Sequence, residues 1–221
     1  MHILVFGGTG NCGQAFVPDA LHAGHHLTLY ARSPSKFPQD VQDHANVSVV
    51  QGEFTDVEAL KEALSKGAEV LVSFAGPELP SKGMFMTEFY ERLYQLVPDY
   101  SSIRRCIVLS TASFKVPEDT ETWKWWIVIS MISLLGGTCY QEINGLSRAT
   151  SSLGGNDIQW TLFRVPNLTG GEAKPVQASY LGDGTDGLFV TRKSVAIWVL
   201  QELEEKKWVD KAPCLSNPGW I

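Results

Sequence analysis

A cluster of glycines near the start of the chain constrains the fold more than any other feature. A short apolar segment, residues 3–6, leads into Gly8-x-Gly10-x-x-Gly13, and a helix-like apolar stripe follows over residues 11–23. A buried strand, a glycine turn and a helix in this order form a unit whose backbone turns tightly. The free N–H groups at the start of such a helix, and the positive end of its dipole, attract anions. The pattern therefore predicts an anion-binding turn, and the alternative is a tight turn that holds no ligand.

Strand and helix patterns alternate along the rest of the chain. Short apolar runs predict strands at residues 26–30, 47–51, 69–74, 105–110 and 158–163. Longer amphipathic or apolar segments predict helices at residues 56–66, 84–97, 123–152 and 194–206, the second of them ending before Pro98. This alternation predicts an α/β fold, a Rossmann-type doubly wound parallel sheet with right-handed connections. We expect one domain over residues 1–221, with residues 164–221 as a substrate-side extension over the carboxyl edge of the sheet.

Composition narrows the classes of function. The apolar fraction of 44% excludes a disordered chain, and the net charge of −6 argues against a broad basic surface for nucleic acid. The longest apolar run has 11 residues, 125–135, whereas a membrane span needs about 20. The four cysteines lack metal-ligand spacing, and the chain does not open like a signal peptide, so we expect a cytoplasmic protein. A small-molecule substrate is expected, without nucleic acid or a membrane span, and a homodimer remains open.

The glycine pattern, in its place between a first strand and a first helix, matches the fingerprint of dinucleotide-binding folds. The residues expected to hold the cofactor at this turn are Gly7, Gly8, Thr9, Gly10, Asn11, Cys12 and Gly13. An NAD site usually carries a carboxylate at the end of the second strand, but Tyr30-Ala31-Arg32-Ser33 has none. Arg32 instead places a guanidinium where a 2′-phosphate would lie, and Lys36 adds a second positive charge. The sequence thus predicts NADP(H) rather than NAD(H), unless both charges are only solvated loop residues.

Several motifs together resemble those of a known superfamily. They are Gly7-Gly8-Thr9-Gly10-x-x-Gly13, Ala31-Arg32-Ser33-Pro34-Ser35-Lys36, and the segments 50–56, 73–77, 108–111 and 157–166. On these residues the chain resembles the atypical short-chain dehydrogenases/reductases in their NmrA-like branch. That branch includes small reductases of the biliverdin-IXβ/flavin reductase type, and the resemblance covers nearly the whole chain.

The resemblance implies roles for residues at the ends of the later strands. It implies that Glu53 and Phe54 lie along the adenine, and that the adenine ribose and diphosphate are flanked by Phe74, Ala75 and Gly76. It also implies that Ser110 and Thr111 lie by the nicotinamide. The residues expected to close over the nicotinamide amide are Val165, Pro166 and Asn167. All of them fall where open α/β sheets bind ligands, although core packing or a turn would also explain each one singly.

The chain departs from the superfamily in its catalytic residues. Redox members use Tyr-x-x-x-Lys with a serine, and the lysine lowers the tyrosine pKa so that the phenol can transfer a proton. Here the segment in register is Tyr140-Gln141-Glu142-Ile143-Asn144, without the lysine. Tyr140, with Ser110 or Thr111, is the candidate proton donor or a substrate contact, or else an ordinary helix residue. Glu142 is a candidate substrate contact, or else a surface charge or a helix cap.

A tryptophan-rich segment over residues 123–135 adds a candidate for substrate binding. Trp126 could form the wall of a pocket for a flat hydrophobic ligand. The same segment also fits a helix packed on the sheet, a dimer interface or, less well, a helix lodged at a membrane surface.

Three functions are consistent with these features. The first is an NADP(H)-dependent oxidoreductase that acts on a hydrophobic conjugated or carbonyl-containing small molecule. The missing lysine leaves open a non-catalytic NADP-sensing regulatory protein of the NmrA-like kind. It also leaves open an isomerase or cyclase that retains its cofactor without net redox change, and the fold alone does not choose among the three.

Overall fold

The computed structural model describes residues 1–77, 83–154 and 157–219, apart from the side chain of Leu135. Its strands are β1 (His2–Phe6), β2 (His26–Ala31), β3 (Val47–Gln51), β4 (Val70–Ser73), β5 (Arg105–Thr111), β6 (Gln159–Val165), β7 (Asn167–Thr169), β8 (Gln177–Ser179), β9 (Phe189–Thr191) and β10 (Cys214–Ser216). Its helices are α1 (Asn11–His22), α2 (Gln39–Gln42), α3 (Val57–Leu64), α4 (Phe85–Tyr100), α5 (Trp123–Leu135), α6 (Thr138–Ser151) and α7 (Arg192–Glu205), with a 3₁₀ turn at Pro34–Lys36.

The main sheet has the order β3-β2-β1-β4-β5-β6-β10-β8. Neighbouring strands are parallel except for β10 and β8, which are antiparallel. The direction of winding reverses between β1 and β4, because the chain returns from β3 across β1 before it forms β4. In open α/β sheets a crevice forms at the carboxyl ends of the strands at such a point. The predicted Rossmann-type fold is confirmed.

Helices cover both faces of this sheet. Leu4 and Phe6 of β1 point into a core formed with α3, α4 and α6, whereas Ile3 and Val5 point into a core formed with α1 and α7. All four side chains are fully buried. Strands buried on both faces carry unbroken apolar runs rather than alternating polar residues. This explains why the short apolar runs in the sequence predicted the central strands correctly.

The observed helices divide one of the predicted helical segments and extend another. The helical segment predicted over residues 123–152 consists of two helices, because Gly137 adopts a left-handed φ of 51° that ends the first helical path. Helix α4 continues through Pro98 to Tyr100. A proline in the last turn removes one hydrogen bond without interrupting the preceding turns. Asp56 caps α3, since its Oδ1 accepts a hydrogen bond from Ala59 N at 3.1 Å.

The lengths and compositions of the helices can be compared with those that a membrane span needs. Within the three described segments, no single helix is both long enough and apolar enough to cross a bilayer. Helices α5 and α6 meet these criteria of length and composition only as a pair bent by 112°.

The chain after β6 contributes to the sheet and to its carboxyl edge. Strands β10 and β8 continue the main sheet beyond β6, while β7 and β9 form a separate parallel pair. An ion pair at the end of β6 fastens these parts together. Arg164, with a fully buried side chain, donates to both carboxylate oxygens of Asp119 at 2.6 and 2.8 Å. Asp119 also accepts from Leu181 N at 2.9 Å, so one buried carboxylate links β6, the β5–α5 loop and the loop after β8.

Candidate functional site

A cavity of about 420 Å³ lies at the carboxyl ends of the first four strands, beside the point where the winding reverses. Its walls come from the turn after β1, the end of β2, the loops after β3 and β4, and the start of α4. The lining residues are Gly7, Thr9, Gly10, Tyr30, Ala31, Arg32, Ser33, Lys36, Gly52, Glu53, Phe54, Phe74, Ala75, Gly76, Pro77, Phe85, Met86 and Glu142. The structure therefore brings together predicted cofactor residues from four separate parts of the sequence.

The glycine turn forms the floor of this cavity through close backbone packing. Gly7 has a φ of 72°, and a Cβ there would lie 2.7 Å from Ala75 N. A Cβ at Gly13 would lie 2.4 Å from the carbonyl oxygen of Gly7, so only glycine lets the start of α1 approach the turn. No side chain of the described residues caps the first turn of α1. Its N–H groups and positive dipole therefore suit an anionic group such as a diphosphate.

Positive charge at the end of β2 forms one side of the cavity. Arg32 directly follows β2, and the 3₁₀ turn over Pro34–Lys36 returns Lys36 to the cavity wall. Pro34 fixes the backbone at the first position of this turn. Both cationic side chains are exposed at the rim, where they can reach an anionic substituent. These two charges fit the 2′-phosphate that distinguishes NADP(H) from NAD(H).

Aromatic side chains form the opposite wall. The ring of Phe54 lies 4.3 Å from that of Phe89 and 6.4 Å from that of Tyr30, the latter at an angle of only 14°. The Tyr30 hydroxyl donates to the carbonyl oxygen of Glu53 at 2.6 Å and so holds the loop after β3 against the sheet. A Cβ at Gly52 would lie 2.3 Å from that hydroxyl. This flat apolar wall suits a purine ring.

A buried hydrogen-bond network holds the loop after β4. The hydroxyl groups of Ser73 and Tyr90 share a hydrogen bond of 2.6 Å. Tyr90 also donates to the carbonyl oxygen of Ala75 at 3.1 Å, and Ala75 N donates to Ser73 Oγ at 3.3 Å. Burial raises the pKa of Tyr90, so its phenol stays protonated and continues to donate. Because Ala75 also contacts the glycine turn, Tyr90 is a positioning residue for the cavity floor.

Glu142 has a structural role in the observed geometry. Only 1% of its surface is exposed, so it is not a surface charge. Its carboxylate accepts hydrogen bonds from Met86 N at 2.9 Å and Thr87 N at 2.8 Å. It therefore caps the first turn of α4 from the neighbouring helix α6, as the helix-cap alternative anticipated. One side of Glu142 also faces the cavity.

The catalytic candidates lie outside the lining of this cavity. Ser110 is fully buried and shares a hydrogen bond of 2.7 Å with Ser147. Thr111 shares one of 2.6 Å with Ser113. Tyr140 is half-buried beside a small apolar cluster near α5, and Asn144 donates to its backbone carbonyl rather than to its phenol. The structure therefore does not assemble a serine, a tyrosine and a cation at the described cavity.

The remaining predicted residues lie near the ends of β5 and β6 or on α5. Val165 is buried, and Asn167 Nδ2 donates to the carbonyl oxygen of Leu188 at 3.2 Å, while Pro166 stands between them. Trp126 is 69% exposed, whereas the adjacent Trp125 is buried and its indole N–H donates to Asp186. Neither Trp126 nor the segment of Val165 to Asn167 lines the cavity.

Sequence reasoning missed part of the lining. Tyr30, Phe85 and Met86 line the cavity although none was assigned to the site. Tyr30 is adjacent in sequence to the cationic segment, and its hydroxyl lies beside Gly52 of the loop after β3. Only the pairing of β2 with β3 reveals this contact. Phe85 and Met86 begin α4, and nothing in the local sequence indicates that this helix starts at the cavity. Among the described residues, no group of histidine, cysteine and carboxylate side chains could hold a metal ion.

Comparison with protein families shows to which family the chain belongs. The sequence model of the NAD(P)H-binding family matches residues 7–206. The chain belongs to this NAD(P)H-binding family. The cavity residues of this NAD(P)H-binding protein, from Gly7 to Glu142, all lie within the matched range. The predicted use of a nicotinamide dinucleotide is thereby confirmed, and no curated protein matches the chain by sequence.

Solved structures show the same fold. A short-chain dehydrogenase/reductase from Veillonella parvula in complex with NADP is 21% identical, with a TM-score of 0.79 over 99% of this chain and 95% of that chain. ChuY, an anaerobillin reductase from Escherichia coli O157:H7, is 18% identical, with a TM-score of 0.77 over 100% of this chain and 99% of that chain. At these low identities, the structural likeness shows only that the NAD(P)H-binding protein has the same fold. It agrees with the resemblance to short-chain dehydrogenases/reductases seen in the motifs.

Proposed function

We propose that this chain is an NADP(H)-dependent oxidoreductase that acts on a hydrophobic conjugated or carbonyl-containing small molecule. The observation that carries the proposal is the cavity itself, with the glycine floor, the cations Arg32 and Lys36 on one side and the aromatic wall on the other. The residues fit the parts of the dinucleotide, namely a diphosphate at the glycine turn, a 2′-phosphate at Arg32 and an adenine at Phe54. When bound, the nicotinamide supplies or accepts a hydride.

We place the substrate at the carboxyl ends of β5 and β6. These strands follow β4 in the sheet order, and the residues at or just after their ends are Ser110, Thr111, Val165, Pro166 and Asn167. In this proposal residues 164–221 form the substrate-side part of one domain. The five residues at the ends of β5 and β6 would flank the nicotinamide.

The exposed tryptophan on α5 has two candidate roles. As a substrate wall, Trp126 would contact a hydrophobic ligand, and Trp126→Ala would then raise KM. As part of a homodimer interface, the same change would dissociate the dimer in sedimentation experiments and leave KM unchanged. Apolar neighbours on α5 are also exposed, which fits either role.

A second function is favoured by a specific observation. Asn144 replaces the lysine of the catalytic pattern, and the hydroxyl of Ser110 is held by Ser147 away from the described cavity. Both features suit a protein that binds NADP(H) as a sensor without turnover, as in the NmrA-like alternative. A cofactor-retaining isomerase or cyclase would need neither residue as a redox acid.

The proposed reductase is tested by following absorbance at 340 nm, where reduced nicotinamide absorbs. Purified protein with NADPH is mixed with flavin and with a panel of quinones and enones. We expect the absorbance to fall with at least one acceptor and not without protein. Binding of NADPH with no loss of absorbance for any acceptor would favour the sensor. Conversion of an organic substrate at constant absorbance would favour the isomerase or cyclase.

The role of Tyr140 is tested by Tyr140→Phe, which removes the hydroxyl and keeps the ring. If Tyr140 donates the proton, kcat should fall by about 100-fold, since general acids contribute 10²–10⁴. The matched control is Tyr100→Phe, at the exposed end of α4. Equal kcat values for the Tyr140→Phe variant and the wild type would remove Tyr140 from the mechanism.

A further inference from the structure

Arg192 is a cationic residue at the carboxyl edge of the sheet, outside the lining of the described cavity. It is the first residue of α7 and follows β9 directly. The preceding Thr191 caps the helix, since its side chain accepts a hydrogen bond from Ser194 N at 3.1 Å. The start of α7, and with it the backbone of Arg192, is therefore fixed.

The first turn of α7 lies beside the first turn of α1. The two helices pack on the same face of the sheet, and one buried cluster contains Cys12 of α1, Val195 of α7, and Phe74 at the end of β4. Val195 is three residues after Arg192, so the two share a helix face. The electrostatic environment agrees with this placement. Burial raises the pKa of the Cys12 thiol to about 11, and the nearby charge of Arg192 partly opposes that rise.

Within the described residues, Arg192 lacks the partners that the two buried arginines, Arg105 and Arg164, have. Over residues 1–77, 83–154 and 157–219, its half-buried side chain makes no hydrogen bond or ion pair. Arg105, by contrast, is paired with Glu202 at 2.7 Å, and Arg164 is paired with Asp119. Even the exposed Lys193, the next residue along, is paired with Glu172 at 2.8 Å. A partly desolvated guanidinium without a carboxylate is unfavourable unless a ligand supplies the negative charge.

We propose that Arg192 binds the diphosphate of the nicotinamide dinucleotide, together with the N–H groups of the uncapped first turn of α1. This inference rests on the proposed binding of NADP(H) and adds a contact from the C-terminal part of the chain. The diphosphate is the anionic group that belongs at the glycine turn, where Cys12 lies. Because NADPH and NADH both contain the diphosphate, Arg192 contributes to the affinity for both cofactors. Arg32 is assigned instead to the 2′-phosphate, which only NADPH carries.

The test compares Arg192→Gln with Lys193→Gln, a matched control one residue away that faces solvent and pairs with Glu172. Dissociation constants are measured for NADPH, NADH and adenosine 2′-monophosphate, which has the 2′-phosphate and no diphosphate. We expect Arg192→Gln to weaken the binding of NADPH and of NADH by a similar factor of about tenfold. This is the effect of losing one charge-assisted hydrogen bond. Binding of adenosine 2′-monophosphate should stay unchanged, and Lys193→Gln should leave all three constants unchanged.

Other outcomes separate this inference from the proposed function. If the wild type binds NADPH and Arg192→Gln leaves the dissociation constant unchanged, the role of Arg192 alone is overturned. Weaker binding of NADPH but not of NADH would also overturn it, because Arg192 would then read the 2′-phosphate. Absence of binding of either cofactor to the wild type would overturn the proposed function itself. Thermal unfolding of the two variants should match that of the wild type, which excludes a general loss of folding as the cause.

Discussion

Arg32→Glu is expected to weaken NADPH binding by about 100-fold and to make NADH the preferred cofactor. The change removes a charge-assisted hydrogen bond to the 2′-phosphate, which alone is worth about 10- to 150-fold. It also places a carboxylate where NAD-binding folds hold the ribose 2′-hydroxyl. Arg32 directly follows β2 and lines the cavity, so the new carboxylate would keep the same backbone position. Dissociation constants from fluorescence titrations with each cofactor measure the change.

The control for this experiment is Arg104→Glu. Arg104 is exposed and stands just before β5, at the opposite edge of the sheet from the cavity. Both variants change the net charge by the same amount, so a general electrostatic effect would appear equally in both. An Arg32→Glu variant that bound NADPH as tightly as the wild type would contradict the assignment of the 2′-phosphate.

Arg164→Met is expected to lower the free energy of unfolding by about 3–5 kcal/mol, the usual cost of breaking a buried ion pair. Asp119 would keep its charge in a site where only 8% of its side chain is exposed, without the two hydrogen bonds from the guanidinium. The carbonyl oxygen of Phe114 would also lose its donor, Arg164 Nη1. Since domains of this kind are stable by only about 5–15 kcal/mol, much of the stability would be lost. Urea unfolding followed by tryptophan fluorescence measures the change.

Two further variants make the result specific. Lys193→Met breaks an exposed ion pair with Glu172, and the loss should stay below about 1 kcal/mol. Adding Asp119→Leu to Arg164→Met removes the orphaned carboxylate, so the double variant should be more stable than Arg164→Met alone. A loss below 1 kcal/mol for Arg164→Met would show that Asp119 finds other partners or that water reaches the site.

The parts of the fold that follow from local chemistry could be predicted from the sequence. The glycine turn specified its own geometry, because Gly7 and Gly13 occupy places where a Cβ would overlap neighbouring backbone. The central strands were readable because both of their faces are buried. The short segment after β2 could also be interpreted from the sequence, because it lacks a carboxylate and carries Arg32 and Lys36. The structure places both cations at the cavity.

Features that depend on contacts between distant segments could not be predicted. A helix cap was one of the alternatives for Glu142, but only the packing of α6 against α4 reveals that it caps α4 across 56 residues of sequence. The position of Arg192 beside Cys12 depends in the same way on the packing of α7 along α1. Strands β8 and β10 have three residues each, too few for a periodic pattern. The helical pattern over residues 123–152 did not give the position of the break between α5 and α6, although Gly136-Gly137 was a local signal for it.

The most direct test of the central claim is a titration of the purified protein with NADPH and with NADH in the same buffer and at the same salt concentration. Quenching of tryptophan fluorescence gives both dissociation constants. The cations at the end of β2 predict that NADPH binds at least about tenfold more tightly than NADH. Equal affinities, or tighter binding of NADH, would contradict the role assigned to Arg32 and Lys36.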